Sequence, residues 1–321
     1  MTEGAEISTA RAAVMTGGRI LSIGEAMVEL SGTGDGDLWR LGIAGDTLNT
    51  AWYLRRLLGP EWQLGYFSRV GMGEFSQRML DFLQCEGITT DHVSRDPDHE
   101  IGLYSISLKD GERSFSYWRD NSAARHLADD PGLLTAALQG CDLAYFSGIT
   151  LAILPEDRRS TFLDTLARAR KSGCSIVFDP NLRPRLWDAA TTMCHWIDTA
   201  ASISALVLPS FDDESAHFGD ADPDETILRY LNAGADQVIV KNGGGPVTFG
   251  GIAGNGCIVD LPRKTPVDST AAGDSFNAAY LAATLRGADP ATAIRAGHDL
   301  SCRVIGHRGA LVCEAISPPA L

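Results

Sequence analysis

RILSIGEAMVEL, residues 19–30, is followed 15 residues later by DTLNTAWYLRRLL, residues 46–58. The first stretch is mostly apolar up to Gly24 and predicts a buried strand that runs into a turn at this glycine. The second stretch has apolar residues at helical spacing and predicts a helix. Strand followed by helix is the unit from which parallel sheets with helical layers are built, so this pair sets the expected fold class.

The same alternation continues along most of the chain. Apolar runs of strand length are followed by segments of helical periodicity, so we expect an α/β fold with a mostly parallel sheet covered on both faces. The predicted strands are 142–147, 174–179, 205–209 and 237–241, and the predicted helices are 155–172, 223–233, 274–286 and 290–305.

One segment interrupts this pattern. Two short runs of alternating polarity flank Asp110-Gly111, a dipeptide typical of a tight hairpin turn. We therefore predict an antiparallel insertion that acts as a lid. By the two-residue period of a strand, Phe115, Tyr117 and Arg119 share one face. The pattern leaves open whether this face lines a site or only packs against other residues.

Composition argues against several classes of function. A formal net charge of -14, without any stripe of lysine and arginine, disfavours nucleic acid and anionic membrane surfaces as partners. The seven cysteines are scattered without metal-binding spacing, so neither a disulfide framework nor a zinc site is predicted. No apolar run has the length of a signal-peptide core or a membrane span. We expect a cytoplasmic protein with a flexible leader, residues 1–18, and one large domain, residues 19–321.

The segment VDSTAAGDSFNAA, residues 267–279, is crowded with small residues just before a helical pattern. Such a turn lets a substrate approach a helix N-terminus, where unpaired N–H groups and a partial positive charge favour a phosphoryl group. Asp274 at this position could accept a proton from an attacking hydroxyl. It could also be an ordinary helix cap, because aspartate is common there. The residues alone leave both roles open.

Other loops carry polar residues at the ends of predicted elements. DPNLR, residues 179–183, and KNGGGP, residues 241–246, each follow a buried strand, at the edge where open α/β sheets usually bind ligands. GIAGDTLNTA, residues 42–51, opens a helix, and its Asp46 is a candidate both for capping and for ligand binding. No P-loop motif occurs, and Gly71-Met72-Gly73 lacks the third glycine of a dinucleotide-binding fingerprint. An NAD-dependent dehydrogenase is thus the weaker enzyme hypothesis.

Taken together, these strings resemble the ribokinase-like (PfkB) carbohydrate kinases from about residue 20 to residue 309. Residues 268–274, DSTAAGD, are similar to the C-terminal signature DTTGAGD of that family. The resemblance implies a three-layer α/β fold with a mostly parallel sheet and a small antiparallel β lid, contributed mainly by residues 30–44 and 100–120. Within the family, the chain resembles the 2-keto-3-deoxygluconate kinases. The strings that carry this narrower resemblance are GIAGDTLNTA, Gly102-Leu103-Tyr104, ERSFSYWRDNSAAR, FSGITLAIL and PNLRPRLW.

The resemblance also implies roles for individual residues. Asp274 would be the catalytic base, next to an anion hole formed by the backbone amides of Ala271, Ala272 and Gly273. Arg119 would bind the carboxylate of a sugar acid. The implied sugar-binding residues are Gly45, Asp46, Thr47, Leu48, Asn49, Tyr104, Tyr117, Trp118, Arg119, Arg183 and Asp274. The implied nucleotide-binding residues are Asn181, Arg183, Lys241, Asn242, Gly243, Gly244, Gly245, Ala271, Ala272 and Gly273.

The implied reaction is transfer of a phosphoryl group from ATP, with Mg2+, to the 6-hydroxyl of 2-keto-3-deoxygluconate. Asp213 is a candidate for Mg2+ through water, and Asp268 is a candidate for a monovalent cation such as K+. Relatives pair through the lid, so a homo-oligomer is expected. The alternatives are a fructokinase, a ribokinase, a 2-keto-3-deoxygalactonate kinase, or a non-catalytic sugar-acid binding protein on the same fold.

Overall fold

The computed structural model describes residues 16–33, 37–109 and 112–316. Residues 1–15 of the predicted leader lie outside these ranges, and Gly18 already belongs to the first strand.

In the described part of the chain, strands and helices follow one another in the alternating order expected from the sequence. The strands are β1 (Gly18–Ile23), β2 (Met27–Gly32), β3 (Trp39–Ala44), β4 (Trp62–Val70), β5 (Thr89–Arg95), β6 (Leu103–Lys109), β7 (Glu112–Trp118), β8 (Leu143–Ser147), β9 (Ser175–Asp179), β10 (Leu206–Val207), β11 (Gln237–Val240), β12 (Val247–Gly251) and β13 (Gly256–Ile258). The helices are α1 (Asp46–Leu57), α2 (Glu74–Cys85), α3 (Pro131–Leu138), α4 (Gly148–Ile153), α5 (Glu156–Lys171), α6 (Ala190–Ser202), α7 (Phe211–Phe218), α8 (Pro223–Ala233), α9 (Ala272–Leu285) and α10 (Pro290–Val304).

The main sheet has the order β13-β12-β11-β10-β9-β8-β1-β4-β5. Its strands from β11 to β5 are parallel, while β12 and β13 are antiparallel at one edge. Strands such as β8 are buried along their whole length because helices cover both faces. The predicted α/β fold with a mostly parallel sheet is therefore confirmed.

Each face of the main sheet has its own hydrophobic core. One core packs α1, α9 and α10 against the sheet, and the other packs α3, α5 and α6 against the opposite face. Together with the sheet they make three layers. None of the described helices is both long enough and apolar enough to cross a membrane.

The lid is a second, smaller sheet of order β3-β2-β6-β7. Its outer pairs, β3 with β2 and β6 with β7, are antiparallel, and the central strands β2 and β6 pair in parallel. The predicted hairpin is β6–β7. The chain leaves the main sheet for the lid at Gly24, where a β-carbon would lie only 2.4 Å from Oγ1 of Thr47. The turn predicted at Gly24 therefore depends on the absence of a side chain at this residue.

The region from residue 59 to residue 100 contains three elements that the sequence reasoning missed, β4, α2 and β5. The glycines 71 and 73, considered above only as a fragment of a dinucleotide motif, lie at the β4–α2 turn, and Gly73 is the N-cap of α2. A β-carbon on Gly71 would lie 2.4 Å from a carboxylate oxygen of Glu100. These glycines thus have a packing role.

Candidate active site

A cavity of about 440 Å³ lies between the lid and the carboxyl ends of the parallel strands. The lid, the start of α1, the loops after β9 and β11, and the turn before α9 all contribute to its walls. The residues predicted for a site that line it are Gly45, Asp46, Asn49, Tyr104, Tyr117, Arg119, Asn181, Arg183, Asp213, Lys241, Asn242, Gly243, Ala271, Ala272, Gly273 and Asp274.

Asp274 occupies the first turn of α9 and is only partly exposed. Its Oδ2 accepts a hydrogen bond from Nδ2 of Asn49 at 2.8 Å. Its backbone carbonyl accepts one from Oγ1 of Thr50 at 3.3 Å. Two side chains of α1 therefore fix the position of a carboxylate on α9, so that it faces the cavity.

The pKa of Asp274 is raised to about 8, chiefly because burial disfavours the charged carboxylate. The negative charges of Asp46 and Asp179 raise it further, while the hydrogen bond from Asn49 and the charge of Lys241 lower it. A carboxyl group with a pKa near neutrality can accept a proton far more readily than an ordinary aspartate.

The turn before α9 offers backbone amides to the cavity. Ala271 is the N-cap residue and has a φ of 58°, in the left-handed region that favours glycine. The N–H of Ala272 donates to the carbonyl of Ser269 at 3.2 Å. Among the described residues, the N–H groups of Ala271 and Gly273 have no backbone acceptor. Two of the three amides assigned to an anion hole are therefore available to a ligand.

Lys241 follows β11 and brings a positive charge to the floor of the cavity. Its Nζ donates to Oδ1 of Asn277 at 3.0 Å and lies 3.5 Å from Oδ1 of Asp179. Asn277 in turn donates to Oδ2 of Asp179 at 2.7 Å and to the hydroxyl of Tyr145 at 3.1 Å. A β-carbon on Gly273 would be 3.7 Å from this Nζ. The ammonium group is thus held beside the turn before α9.

The loop after β9 is tied to the start of α1. Nδ2 of Asn181 donates to Oδ2 of Asp46 at 2.8 Å. Asn181 has a φ of 36°, a value that asparagine tolerates better than most residues. Both side chains line the cavity, so the strained residue is held where a ligand would touch it.

Arg119 closes the cavity on the lid side. Only 7% of Arg119 is exposed, and its Nη2 pairs with Oε2 of Glu25 in the connection between β1 and β2. Glu25 also accepts a hydrogen bond from the hydroxyl of Ser122. Nε of Arg119 is buried and has no hydrogen-bond partner among the described residues. A guanidinium that lines a cavity is suited to an anionic ligand.

The other lid residues form an aromatic wall. The rings of Tyr104 and Tyr117 lie 5.8 Å apart, and those of Phe115 and Tyr117 lie 6.2 Å apart. The hydroxyl of Tyr104 donates to Oε2 of Glu29. The face predicted from the two-residue period of β7, which carries Phe115, Tyr117 and Arg119, is the face that lines the cavity.

Arg183 and Asp213 lie at the outer end of the cavity. Nη1 of Arg183 is 3.9 Å from Oδ2 of Asp213, and it donates to the carbonyl of Leu182 at 2.6 Å. Burial raises the pKa of Asp213, while the charge of Arg183 lowers it. A half-exposed guanidinium beside a carboxylate can accommodate phosphate groups together with a hydrated cation.

Asp268 connects the turn before α9 with the loop after α10. Its Oδ1 accepts hydrogen bonds from the N–H and the hydroxyl of Thr270, and its Oδ2 accepts one from the N–H of Gly309 at 2.7 Å. Asp268 is almost fully buried and does not line the cavity. In this arrangement it orients the turn that carries Ala271.

Some residues predicted to bind ligands do not line the cavity. Trp118 points to the opposite face of the lid, because it neighbours Tyr117 and Arg119 along the chain and successive side chains alternate. Thr47 and Leu48 are fully buried, and Thr47 is hydrogen bonded to the hydroxyl of Tyr66 at 2.9 Å. The glycines 244 and 245 also lie outside the lining, although Gly243 belongs to it.

Other lining residues were missed from the sequence. The clearest is His298 of α10, which lines the cavity. It is almost fully buried, and its Nε2 lies 2.6 Å from the carbonyl oxygen of Pro262. Since that oxygen can only accept, Nε2 is the donor. No local motif marks this position, because only the packing of α10 against α9 brings it to the cavity. The other such residues are Met27, Ile149, Ser210, Val247, Phe276, Ser301 and Ala310.

Comparison with known proteins places this geometry in a family. A model described as pfkB family carbohydrate kinase matches residues 18–316. A 2-dehydro-3-deoxygluconokinase from Haemophilus influenzae is 38% identical over 302 residues, which cover 92% of this chain and 95% of that protein.

Solved structures agree with the fold. A PfkB protein from Polaromonas sp. JS666 superposes with a TM-score of 0.80 at 26% identity, covering 90% of this chain and 96% of the other. A putative ribokinase II from Escherichia coli in complex with ATP and Mg2+ has a TM-score of 0.79 at 22% identity, with coverages of 94% and 96%.

Proposed function

This chain belongs to the pfkB family of carbohydrate kinases, and from that premise we propose that it phosphorylates 2-keto-3-deoxygluconate, also named 2-dehydro-3-deoxygluconate, at its 6-hydroxyl with ATP. The oxygen of this hydroxyl forms a bond to the γ-phosphorus while the bond from that phosphorus to the β–γ bridging oxygen breaks. ADP leaves with the electron pair, and the hydroxyl proton passes to a base of the protein. The product is 2-keto-3-deoxy-6-phosphogluconate.

Asp274 is the proposed base. Its carboxylate is held by Asn49 and faces the cavity beside the amides of the α9 turn. The base would thus lie next to the backbone amides that bind the transferred phosphoryl group, as phosphoryl transfer to a hydroxyl requires. A pKa of about 8 lets this group take the proton and release it to solvent near neutral pH.

The position of the Arg119 guanidinium at the cavity wall is the observation that favours a sugar acid over a neutral sugar as the substrate. The guanidinium is buried at the cavity wall, and within the described part of the chain one of its nitrogens lacks a partner and Glu25 is the carboxylate that neutralises it. Nε itself is buried, so a ligand carboxylate would pair with a guanidinium donor at the cavity wall, and a charge-assisted hydrogen bond of this kind contributes about 1.5–3 kcal/mol. Fructose and ribose carry no group that would use this donor equally well.

The remaining polar groups fit the two substrates. Asp46, Asn49, Tyr104 and Tyr117 would orient the hydroxyls of the sugar chain, since all four line the same cavity as Arg119 and Asp274. The nucleotide would extend along the loops at 181–183 and 241–243.

Phosphate charge must be balanced on the nucleotide side. Lys241, Arg183 and the amides of Ala271 and Gly273 supply positive potential there, in a chain whose net charge is -14. The carboxylate of Asp213 suits Mg2+, which keeps water and phosphate oxygens as most of its ligands and needs few carboxylates. Bound there with ATP, this ion would neutralise charge on the transferred group.

Potassium is a second proposed ion. Asp268 and Thr270 offer side-chain oxygen atoms within one small region, which the N–H of Gly309 ties to the loop after α10 and which also orients the turn of Ala271. A monovalent cation bound there would stabilise that turn. Replacing potassium by tetramethylammonium in the assay would then lower kcat, and an unchanged kcat would remove potassium from the proposal.

We also propose that the protein acts in the cytoplasm as a homo-oligomer. ATP as donor supports the compartment. The lid supports the assembly, because its outer face exposes a groove lined by apolar side chains, Leu30, Trp39, Leu103 and Trp118. Apolar surface of this kind is commonly covered by a partner subunit.

A substrate screen tests the proposed reaction. ADP release would be measured with 2-keto-3-deoxygluconate, its galactonate epimer, fructose and ribose, and the phosphorylated position would be determined by NMR. The highest kcat/KM is expected with 2-keto-3-deoxygluconate. A higher value with fructose or ribose would overturn the assignment, and binding of the sugar acid without ADP release would indicate a non-catalytic binding protein.

The variant Asp274→Asn tests the base. Removing a general base typically lowers kcat by about 10²–10⁴-fold, while KM for the sugar acid should change little. The same variant should have a higher melting temperature than the wild type at pH 8–9, because it removes a charge that burial disfavours. Near-normal kcat in Asp274→Asn would exclude this residue as the base.

A further inference from the structure

A second concave surface of about 660 Å³ adjoins the candidate active site. Strands β2 and β3, helix α2 and the loop 308–311 supply its walls. Three arginines, Arg40, Arg78 and Arg308, line it, and we name it the arginine groove. Ala310 belongs to the walls of both cavities, so the two lie side by side.

The groove and the active site share one face of the lid. Glu29 on β2 pairs with Tyr104 on β6, and Tyr104 pairs with Tyr117 on β7. Paired residues of neighbouring strands project to the same side of a sheet. Glu29 lines the groove, whereas the two tyrosines line the active-site cavity. The hydrogen bond from Tyr104 to Glu29 thus joins the two cavities.

Charge distinguishes this groove from an ordinary surface depression. The chain has 41 acidic and 27 basic residues, so three arginines around one concavity oppose its overall charge. Within the ranges that the structure describes, the side chains of Arg40 and Arg308 make no hydrogen bond or ion pair. Arg78 pairs only with Glu74, at 3.1 Å on the exposed surface of α2. The groove therefore presents several unused guanidinium donors.

We propose that the arginine groove binds a small phosphorylated organic acid as a regulatory ligand. Guanidinium groups match phosphate and carboxylate oxygens in two-pronged hydrogen bonds. A ligand with a phosphate at one end and a carboxylate at the other would engage separate arginines. The carboxylate of Glu29 occupies the inner wall, where the Tyr104 hydroxyl already donates to it, so the ligand lies toward the arginines. The product of the proposed reaction belongs to this chemical class.

The groove is mechanically connected to the reaction centre. Its loop residue Gly309 donates its N–H to Oδ2 of Asp268 at 2.7 Å. Oδ1 of Asp268 accepts a hydrogen bond from the N–H of Thr270. Thr270 directly precedes Ala271 in the turn before α9. A ligand that draws Arg308 toward the groove therefore acts, through Gly309 and Asp268, on the turn that positions the transferred phosphate.

Calorimetry on the full-length protein measures binding to the arginine groove without requiring turnover. A failure of the proposed function, on which only the kinetic effect of the ligand rests, would therefore leave the binding test intact. The probe is 6-phosphogluconate, which carries both a phosphate and a carboxylate. The variant Arg40→Gln/Arg78→Gln should weaken binding by at least about tenfold, the loss of one or more charge-assisted contacts. The control variant Arg295→Gln, which removes an exposed arginine paired with Asp260, should bind as the wild type does.

Two comparisons define the ligand class and its effect. Glucose 6-phosphate, gluconate and inorganic phosphate should each bind more weakly than 6-phosphogluconate. At saturating ATP and sugar acid, 6-phosphogluconate should change kcat at least about twofold in the wild type and not in the double variant, because competition in the active site is then suppressed. Equal binding by wild type and double variant would overturn the site. Inorganic phosphate binding as tightly as 6-phosphogluconate would overturn the ligand class, and an unchanged kcat would overturn the coupling.

Discussion

Asp274 shares its cavity with three further carboxylates, of which Asp46 and Asp179 raise its pKa, while Lys241 is the ammonium group beside them. The resulting pKa of about 8 lies well above the ordinary value of 3.8. Between these values the unfolded chain releases this proton while the folded protein keeps it, so this group makes the protein less stable as the pH rises. The reactivity of the base is thus linked to a loss of stability.

Activity should follow the ionisation of this base. Because Asp274 must be deprotonated to accept a proton, kcat/KM should rise with pH and level off above about 8. The variant Asp46→Asn removes a charge that raises the pKa of Asp274, so its profile should shift to lower pH. Initial rates between pH 5.5 and 9.5 measure this shift.

Asp212→Asn is the control for that experiment, because Asp212 neighbours Asp213 on α7 and is absent from the cavity lining. Its pH profile should coincide with that of the wild type. If Asp46→Asn and Asp212→Asn gave the same profile, the charge of Asp46 would not set the ionisation of the base.

Arg119 and Glu25 form a second charged unit, on the lid side. Both are almost fully buried, and each would be left without its main counter-charge if the other were removed. Breaking a buried pair from one side costs about 3–5 kcal/mol, whereas replacing both partners can be nearly neutral. Stability and ligand binding can therefore be separated at this pair.

Arg119→Gln alone should lower the free energy of unfolding by a few kcal/mol and raise KM for the sugar acid at least about tenfold. Glu25→Gln/Arg119→Gln should recover much of the stability but not the affinity, since the guanidinium donor is still missing. Denaturant unfolding and initial rates measure the two effects. A double variant with wild-type KM would show that Arg119 does not bind the sugar acid.

At the scale of elements, the start of α1 depends on its contact with the connection between β1 and β2. Gly45 is the N-cap of α1, and a β-carbon there would lie 2.3 Å from the carbonyl oxygen of Glu25. This contact sets how far the Glu25–Arg119 pair near the lid lies from Asp46 and Asn49 on the helix. The glycine therefore couples two walls of the cavity.

Gly45→Ala should destabilise the protein by about 1–3 kcal/mol, the usual cost of forcing extra atoms into a packed site. It should also lower kcat/KM, because Glu25 and α1 must separate. Gly32→Ala in the lid is the matched control, since among the described residues the nearest neighbour of a β-carbon there lies 4.0 Å away. Thermal unfolding and initial rates compare the two variants, and similar losses in both would refute a specific role for Gly45.

The α9 turn shows how an element tolerates a residue that its geometry disfavours. Ala271 adopts a left-handed conformation that costs a non-glycine residue about 1–2 kcal/mol. The hydrogen bonds of Asp268 to Thr270 and Gly309 hold the adjoining segments in place. The turn therefore keeps its amides directed toward the cavity despite the alanine.

At the scale of the whole molecule, the lid has two different faces. One face lines the active site and the arginine groove, and the other exposes Trp39 and Trp118, which are 46% and 60% accessible. Two exposed tryptophans next to Leu30 and Leu103 give the outer face an apolar centre. This asymmetry is what assembly through the lid requires.

Trp118→Ser should shift the protein toward the monomer, because it removes the most exposed ring of the outer lid face. Analytical ultracentrifugation over a range of concentrations measures the equilibrium. Leu228→Ser is the control, since Leu228 is 59% exposed on α8, outside the lid. A wild type that is monomeric at all concentrations would contradict assembly through the lid.

Several parts of the fold and the site could be predicted because their signals are local. Apolar runs and helical periodicity located β8, β9, α5, α8 and α10 to within a few residues. Small residues before a helix marked the turn at Asp274. The strands β12 and β13 and the elements between residues 59 and 100 were missed. β13 is short and the residues of β5 are largely polar, whereas the apolar residues of β4 and α2 were left unassigned.

The sequence by itself determined the α/β alternation, the hairpin, and the chemical types of residue available at each strand end. Tertiary structure decided which of them meet: Asn49 and Asp274, in contact at 2.8 Å, are 225 residues apart in the chain. It also decided that Trp118 lies outside the cavity lining and that His298 belongs to it. The physical reason is that periodicity fixes which side of an element a residue occupies, whereas burial, pairing and the pKa of Asp274 depend on what the rest of the fold packs against that side.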